Sequence, residues 1–323
     1  MHGTMDYMAR RPERRESVLR WYPAAKSVVL LGFSYFPGKE EPPAPGSGRV
    51  SRYARAEDYH RVIKERLKEL LARVGEACPG ARGKAFVDTS AVLERHYGRY
   101  AGMGWIGKNT MLISRKIGSY FFLSGLALDR ELVYDDPVPD HCGTCNRCIT
   151  ACPTDAFPRP HVLDASRCIA YLTIEHRGPI PEELRPGVGD WVFGCDICQE
   201  VCPWNRFSVR NPAFEPQLPG SFPLEELASL GEPEFSERFK PTPMERAGVD
   251  GLRRNALLAM GNSGDASHKP ALERAAAGPD AAAAEQARWS FKRLAAALVL
   301  AALLPGAAIS AVSSWGVIAP ARS

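Results

Sequence analysis

The sequence predicts an α/β sheet domain of the α+β kind, then a cysteine-rich segment, then an all-helical C-terminal part. Three observations lead there. Strand-like and helix-like runs alternate between residues 25 and 135, a pattern that builds a sheet covered by helices. Eight of the nine cysteines fall between Cys142 and Cys202. Beyond residue 250, apolar residues recur at helical spacing in three segments. The 323 residues leave room for two or three domains. A composition of 45% hydrophobic and 24% charged residues is that of a globular protein. It excludes a disordered chain, a collagen-like one and a polytopic membrane protein.

In the first region, the apolar, β-branched run Ser27-Val-Val-Leu-Leu-Gly32 reads as a buried strand. Four prolines and three glycines make residues 37–48 a loop. From Asp58 to Val74, Val62, Ile63, Leu67, Leu70, Leu71 and Val74 share one helical face. Lys84–Asp88 is a strand ending on an acid, Ala91–Tyr100 a helix, and Gly102–Asn109 a glycine-rich turn. Met111–Ile113 and Tyr120–Leu128 complete the strands. Residues 209–245, rich in Pro, Phe and Glu, read as a linker with short helices. The helices Leu252–Gly261, His268–Ala277 and Ala281–Leu304 follow. The run at 252–262 has the look of one HEAT-repeat helix, a unit that must pack on something larger.

Charge and cysteine use set the environment. Residues 1–70 carry 14 Lys/Arg against 9 Asp/Glu, a net of +5 beside +4 for the whole chain. That skew suits an anionic partner such as RNA. Residues 1–20 hold no apolar h-region, so no export signal is expected. A reducing cytosol follows, where clustered cysteines hold metal more often than they form disulfides. Cys78 stands apart from the other eight and reads as a small buried side chain.

Cys142-x2-Cys145-x2-Cys148-x3-Cys152-Pro153 has the spacing of a bacterial ferredoxin half-site. Three cysteines two apart wrap one cubane, and the fourth points to a second. Cys195-x2-Cys198-x3-Cys202-Pro203 repeats the last three elements, with Val192 where the leading cysteine would stand. Cys168 is the thiol left to replace it. Reciprocal sharing then gives Cys142, Cys145, Cys148 and Cys202 to one [4Fe–4S] cluster. Cys152, Cys168, Cys195 and Cys198 go to the other. Two four-cysteine zinc sites are the alternative, but zinc does not call for x3-Cys-Pro twice. Clusters alone move single electrons, so any bond-making belongs to other residues.

The blocks Phe86–Arg95 and Ala101–Thr110, together with both cysteine runs, resemble the epoxyqueuosine reductases. So do Tyr53–His60, Tyr171–Glu175 and Cys202–Arg206. The resemblance runs from about residue 3 to 293. It implies reduction of epoxyqueuosine to queuosine at the tRNA wobble position, with electrons passing through two [4Fe–4S] clusters to cobalamin. It also implies a catalytic domain like that of reductive dehalogenases and a HEAT-like part that helps hold the tRNA. The implied organisation is a cobalamin-binding α/β domain over 1–135 and a ferredoxin-like double-cluster domain over 136–208. Linker and HEAT-like helices occupy 209–293, and an uncharged tail 294–323. A reductase of another substrate, such as an organohalide, and a ferredoxin-type electron carrier are the alternative readings.

The family's proton donor falls on Asp88, which ends a strand and precedes Thr89 and Ser90. Partly desolvated there, its carboxyl would keep a proton near neutral pH; capping the following helix is its other reading. Cobalamin contacts are expected from Tyr53, Asp88, Lys108, Asn109, Thr173 and Asp196. Asp58-Tyr59-His60 begins the Asp-x-His-x-x-Gly motif that supplies a cobalt ligand elsewhere, but Ile63 breaks it. His60 therefore reads as a polar residue on the exposed side of a helix. Arg253 and Arg254 are candidate phosphate contacts. The expected partners are a tRNA anticodon loop and an outside electron donor such as a flavodoxin or ferredoxin, acting on a monomer.

Both ends depart from the family pattern. Met1 sits almost on a block that the family carries some tens of residues in, so a helix and a strand fewer are expected. Leu294–Ala321 contains no charge. Its length would allow a membrane anchor at 294–319, but Pro305-Gly306 interrupts the run. A cytoplasmic chain with a loosely packed tail is the preferred expectation.

Overall fold

The computed structural model describes residues 2–303, with side chains through residue 296. Eight strands form: β1 (Ser27–Ser34), β2 (Ser47–Val50), β3 (Gly83–Val87), β4 (Trp105–Ile106), β5 (Leu112–Ile113), β6 (Phe121–Leu128), β7 (Trp191–Phe193) and β8 (Ser221–Pro223). The main sheet has the order β1-β6-β3, and both pairings are antiparallel. The fold is thus mixed α/β, of the α+β kind. The strand latest in sequence is central, which explains its nearly unbroken apolar run: both of its faces are covered.

The helix Tyr59–Ala77 lies on β3 and buries Ile63 and Leu67. Asp58 caps it by accepting the backbone N–H of His60 at 2.9 Å. Cys78 follows the last turn, past the packed face, and is exposed rather than buried. The helix expected from Ala91 begins at Glu94.

A second sheet, β7-β2-β8, joins three distant parts of the chain. Its central strand β2 includes residues that read as loop. Gly48 fits there because a Cβ would stand 2.3 Å from Cγ1 of Val192. Val50, Val192, Phe193 and Phe222 enter one core with Leu224, Leu227, Phe235, Phe239 and Met244. Residues 209–245 therefore pack into the body of the protein instead of stringing two bodies together. The same core continues through Leu252, Ala256, Leu272 and Ala287 of the C-terminal helices. Those helices are Gly248–Ser263, Lys269–Ala276 and Ala281–Leu303. The first and third approach closely at Gly261, where a Cβ would lie 2.6 Å from Cα of Ser290.

Among the described residues, no helix is long and apolar enough to cross a membrane. The expected uncharged tail lies outside the described residues beyond Leu303.

Candidate active site and cysteine clusters

The eight clustered cysteines are all partly buried and unpaired by disulfides. Their sulfurs divide by mutual influence. Burial, then the charges of Cys142, Cys202 and Cys145, push the Cys148 thiol up to about 11. Burial, Cys142 and Cys145 also raise Cys202. In the other group, burial with Cys198 and Cys168 raises Cys195, and burial with Cys152 raises Cys168. Cys198 feels Cys168, then Cys148 of the first group, and less strongly Cys152. Crowded thiolates of this kind repel one another unless a shared cationic centre neutralises them. A cavity of about 60 Å³ is lined by Cys142, Cys145, Cys148 and Cys202, with Trp204 and His141 among its walls. Four of the eight sulfurs thus line one cavity, and Cys152, Cys168, Cys195 and Cys198 influence one another beside it.

The sheet domain supports these loops directly. Trp105, buried at the start of β4, donates its indole Nε1–H to Cys142 Sγ at 3.4 Å. Its ring meets His141 and Trp204 edge-on, each at 5.0 Å. Lys108 Nζ donates to the Gly143 carbonyl and to Asn146 Oδ1, both at 2.8 Å. Asn109 Nδ2 donates to the Cys198 carbonyl at 3.3 Å. Gln199 and Asn205 close a buried network with Ser119: Gln199 donates to its carbonyl at 3.0 Å, and its backbone N–H reaches Asn205 Oδ1 at 2.6 Å. On the other flank, Asp196 accepts the Arg52 backbone N–H at 2.8 Å and its guanidinium at 3.0 Å. Arg52 also reaches Glu200 at 2.8 Å. A ring of buried or half-buried polar groups thus locks the second cysteine run onto the sheet domain.

Asp88 lies at the end of β3 in the left-handed region, with φ 49°. A non-glycine residue held there stores strain that its surroundings must sustain. Three groups do so. Its backbone N–H donates to Glu94 Oε1 at 2.6 Å. His60 Nε2 stands 2.9 Å from Asp88 Oδ2, and His60 Nδ1 stands 2.7 Å from Asp58 Oδ1. The Tyr59 phenol lies near enough to lower the carboxyl as well. Asp88 does not cap the following helix; Glu94 of that helix caps Asp88 instead.

The charges follow from these contacts. The hydrogen bond with His60 is the largest influence on Asp88 and holds its carboxyl below the ordinary range. Burial opposes a charge on His60, but the bonds to Asp58 and Asp88 outweigh it and push the imidazole up to about 9. Burial lifts Glu94 to about 7. These influences favour the proton on His60 and the anion on Asp88, against the expectation that desolvation holds a proton on Asp88. The contact with Asp88 corrects His60 as an uninvolved helix-surface residue. The Asp88 side chain remains 57% exposed, open to a ligand.

The expected cobalamin contacts divide in two. Tyr53 is half-buried between Tyr35 and Phe193 and lies within electrostatic reach of both Asp88 and Asp196. Asn109, Thr173 and Asp196 are buried. Thr173 Oγ1 donates to the Ile169 carbonyl at 2.8 Å and accepts the Gly194 N–H at 2.9 Å. Nor do the glycines of the 102–109 turn leave room for a ligand along their whole length. Gly104 faces the Ile113 carbonyl, which a Cβ would meet at 2.0 Å. Arg254 is no phosphate contact: it is 4% exposed, and its guanidinium donates to the carbonyls of Leu172, His176 and Gly178. Arg253 stays partly exposed, with Nε on the Leu230 carbonyl at 2.6 Å.

Comparison with known proteins agrees with this architecture. A family model described as epoxyqueuosine reductase QueG, DUF1730, matches residues 15–89. A 4Fe-4S double cluster binding domain matches residues 141–205. The epoxyqueuosine reductase of Pseudomonas aeruginosa is 43% identical over 304 residues, covering 90% of this chain and 83% of the relative. The chain belongs to the epoxyqueuosine reductase family. The enzyme from Cellulophaga algicola is 42% identical over 259 residues, 79% of this chain and 84% of its own. Two solved epoxyqueuosine reductases share the fold. One, in complex with a tRNA-Tyr epoxyqueuosine-modified stem loop, matches at TM-score 0.81 and 32% identity over 87% of this chain and 77% of its own. Another, from Bacillus subtilis, matches at TM-score 0.81 and 29% identity over 93% and 83%. That structure has a catalytic aspartate's loop swung out of its active site.

In this epoxyqueuosine reductase family member, the sequence reading missed His60, Glu94, Arg52 and Trp105 as parts of the site. Asp58 and His60, one helical start apart, carried a weak signal. Nothing local to Trp105 or Arg52 announces a partner 37 or 144 residues away.

Proposed function

We propose that this protein reduces epoxyqueuosine to queuosine in tRNA. The observation that carries the reading is one exposed, hydrogen-bonded acid, Asp88, in a chain whose eight clustered cysteines fall within a double-cluster domain match. The family membership supplies the substrate.

In this reading, Cys142, Cys145, Cys148 and Cys202 hold one [4Fe–4S] cluster, and Cys152, Cys168, Cys195 and Cys198 hold the other. Cys148 of one set and Cys198 of the other lie close enough to influence each other, which supports clusters in series. An outside donor, a flavodoxin or ferredoxin, supplies electrons one at a time to a monomer. Cobalamin, when bound, supplies the low-valent metal centre that acts on the epoxide carbon. Tyr53 and Asp88 fit its neighbourhood, since Tyr53 lies within electrostatic reach of both Asp88 and Asp196. Asn109, Thr173 and Asp196 serve from beneath, by fixing the backbone of the cysteine loops. Asp88 then gives a proton to the oxygen that leaves carbon. The anticodon loop presents its wobble base unstacked, as enzymes acting on bases require. The C-terminal helices form a HEAT-like unit supporting the tRNA, and Arg253 offers a phosphate contact.

The test is conversion of epoxyqueuosine-containing tRNA, read by nucleoside analysis after anaerobic reconstitution with iron, sulfide and cobalamin. Queuosine should form in the parent chain. Asp88→Asn should slow formation roughly 10²- to 10⁴-fold while the iron content stays the same. No queuosine from a fully loaded protein would refute the reading.

A further inference from the structure

His60 is joined to an acid on each side, and only one of those acids is on its own helix. Asp58 caps the helix and meets Nδ1 at 2.7 Å, while Asp88 reaches in from the end of β3 and meets Nε2 at 2.9 Å. The imidazole is fixed by its surroundings: its ring stacks on Tyr59 at 4.1 Å, and Tyr59 stacks on Phe122 of β6 at 4.1 Å. With both acids ionised, each ring nitrogen donates to a carboxylate, and the ring is then doubly protonated.

We propose that His60 is the positioning residue of the proton step, storing on Nε2 the proton that Asp88 hands to the oxygen leaving the epoxide carbon. This deepens the epoxyqueuosine reading and rests on it. As the C–O bond breaks and the oxygen gains electron density, one proton passes from His60 to Asp88 and from Asp88 to that oxygen. His60 is left neutral, still donating from Nδ1 to Asp58, and takes a proton back from solvent. The second proton and both electrons of the overall reduction come from solvent and the one-electron donor, and the oxygen leaves as water when its second C–O bond breaks and the carbon–carbon double bond forms.

The other charged and titratable groups facing the pair fit this account. On the helix of His60, Lys64 acts on Asp58. From the helix Glu94–Tyr100, Glu94 accepts the Asp88 N–H and Arg95 lies within electrostatic reach. From the segment 243–247, Arg246 favours the Asp88 anion, and Tyr7 lies near both. The Glu94 hydrogen bond goes to the backbone N–H of Asp88 and not to its carboxyl, so it does not replace His60 as the store. The pair needs a left-handed Asp88 to reach Nε2, which gives the φ of 49° a purpose.

The experiment uses the full chain with its clusters oxidised, labelled with ¹³C-histidine, and His60→Gln to assign the signal. Glutamine keeps a donor but cannot ionise. The His60 resonance should titrate near pH 9 in the parent, and in Asp88→Asn its midpoint should fall by more than one unit. In turnover, the parent should lose rate only as pH rises through about 9. His60→Gln should be slower roughly 10-fold or more near pH 7.5, with its alkaline limb moved down by two units or more. A His60 midpoint below 7, or one near 9 that Asp88→Asn leaves unmoved, overturns the proposal. So does a His60→Gln pH profile that superimposes on the parent's. If the parent itself fails to make queuosine, the functional reading falls, while the titration still decides whether the pair stores a proton.

Discussion

Trp105 donates its indole N–H to Cys142 Sγ across 3.4 Å, although 37 residues separate them. The bond comes from the sheet domain and enters the cysteine region through a wall of aromatic rings. A donor on a cluster thiolate stabilises the reduced, more negative state. Trp105→Phe keeps most of the packing and removes the donor. The reduction potential of the Cys142 cluster should therefore become more negative, by on the order of tens of millivolts. Protein-film voltammetry would read it; a shift to more positive values would show that the bond does not favour the reduced cluster.

Arg254 is a structural arginine. Its guanidinium satisfies three backbone carbonyls of the segment 172–178 and holds Asn255, which in turn donates to Thr173 and Val192 carbonyls at 2.8 Å. Arg254→Met should cost about 3 kcal/mol or more, because buried acceptors lose their donor. Denaturant melts would measure that. The salt dependence of RNA binding by the folded variant should stay as in the parent; a shallower slope would return Arg254 to the list of phosphate contacts.

Two helical glycines make opposite predictions. In an exposed helix, Gly→Ala gains roughly 1 kcal/mol. Gly75, with nothing within 4 Å of its would-be Cβ, should show that gain. At Gly261 the same methyl meets Ser290 Cα at 2.6 Å, and overpacking of about 1–3 kcal/mol outweighs the propensity. Gly75→Ala should melt higher than the parent and Gly261→Ala lower.

The raised His60 also has a stability signature. Its folded value of about 9 lies above the ordinary 6.5 of an unfolded chain. The stabilisation is fully present below pH 6.5 and is lost as pH rises through about 9. Asp58 and Asp88 are lowered, so their contribution is lost at the acid end instead. Between pH 6.5 and 9 the parent should lose roughly 2–4 °C of Tm per kcal/mol removed, and His60→Gln should flatten that slope. Equal slopes in both chains would mean that the ring is neutral in the fold.

Local pattern carried much of the fold. The apolar run of β1, the amphipathic face of Tyr59–Ala77 and the three C-terminal helices are written in residues close together in sequence. The cysteine runs were as legible, because cluster ligation is dictated by short spacings. Where the chain pairs with itself over long distances, the sequence was silent. Strands β2, β7 and β8 are three or four residues each and pair across up to 176 residues, so no local period marks them. The residues 209–245 looked like a linker because turn-rich composition hides Phe222, Phe235 and Phe239, which the core needs.

The same division runs through the site. Sequence by itself pointed to iron–sulfur ligand chemistry in the clustered thiols and singled out Asp88. Only the tertiary structure decided the charge of that acid. A residue type names what can ionise, but the proton goes where partners and burial make it most stable. Here a helix start and a strand end, 28 residues apart, put the proton on His60 and leave Asp88 as an anion beside it.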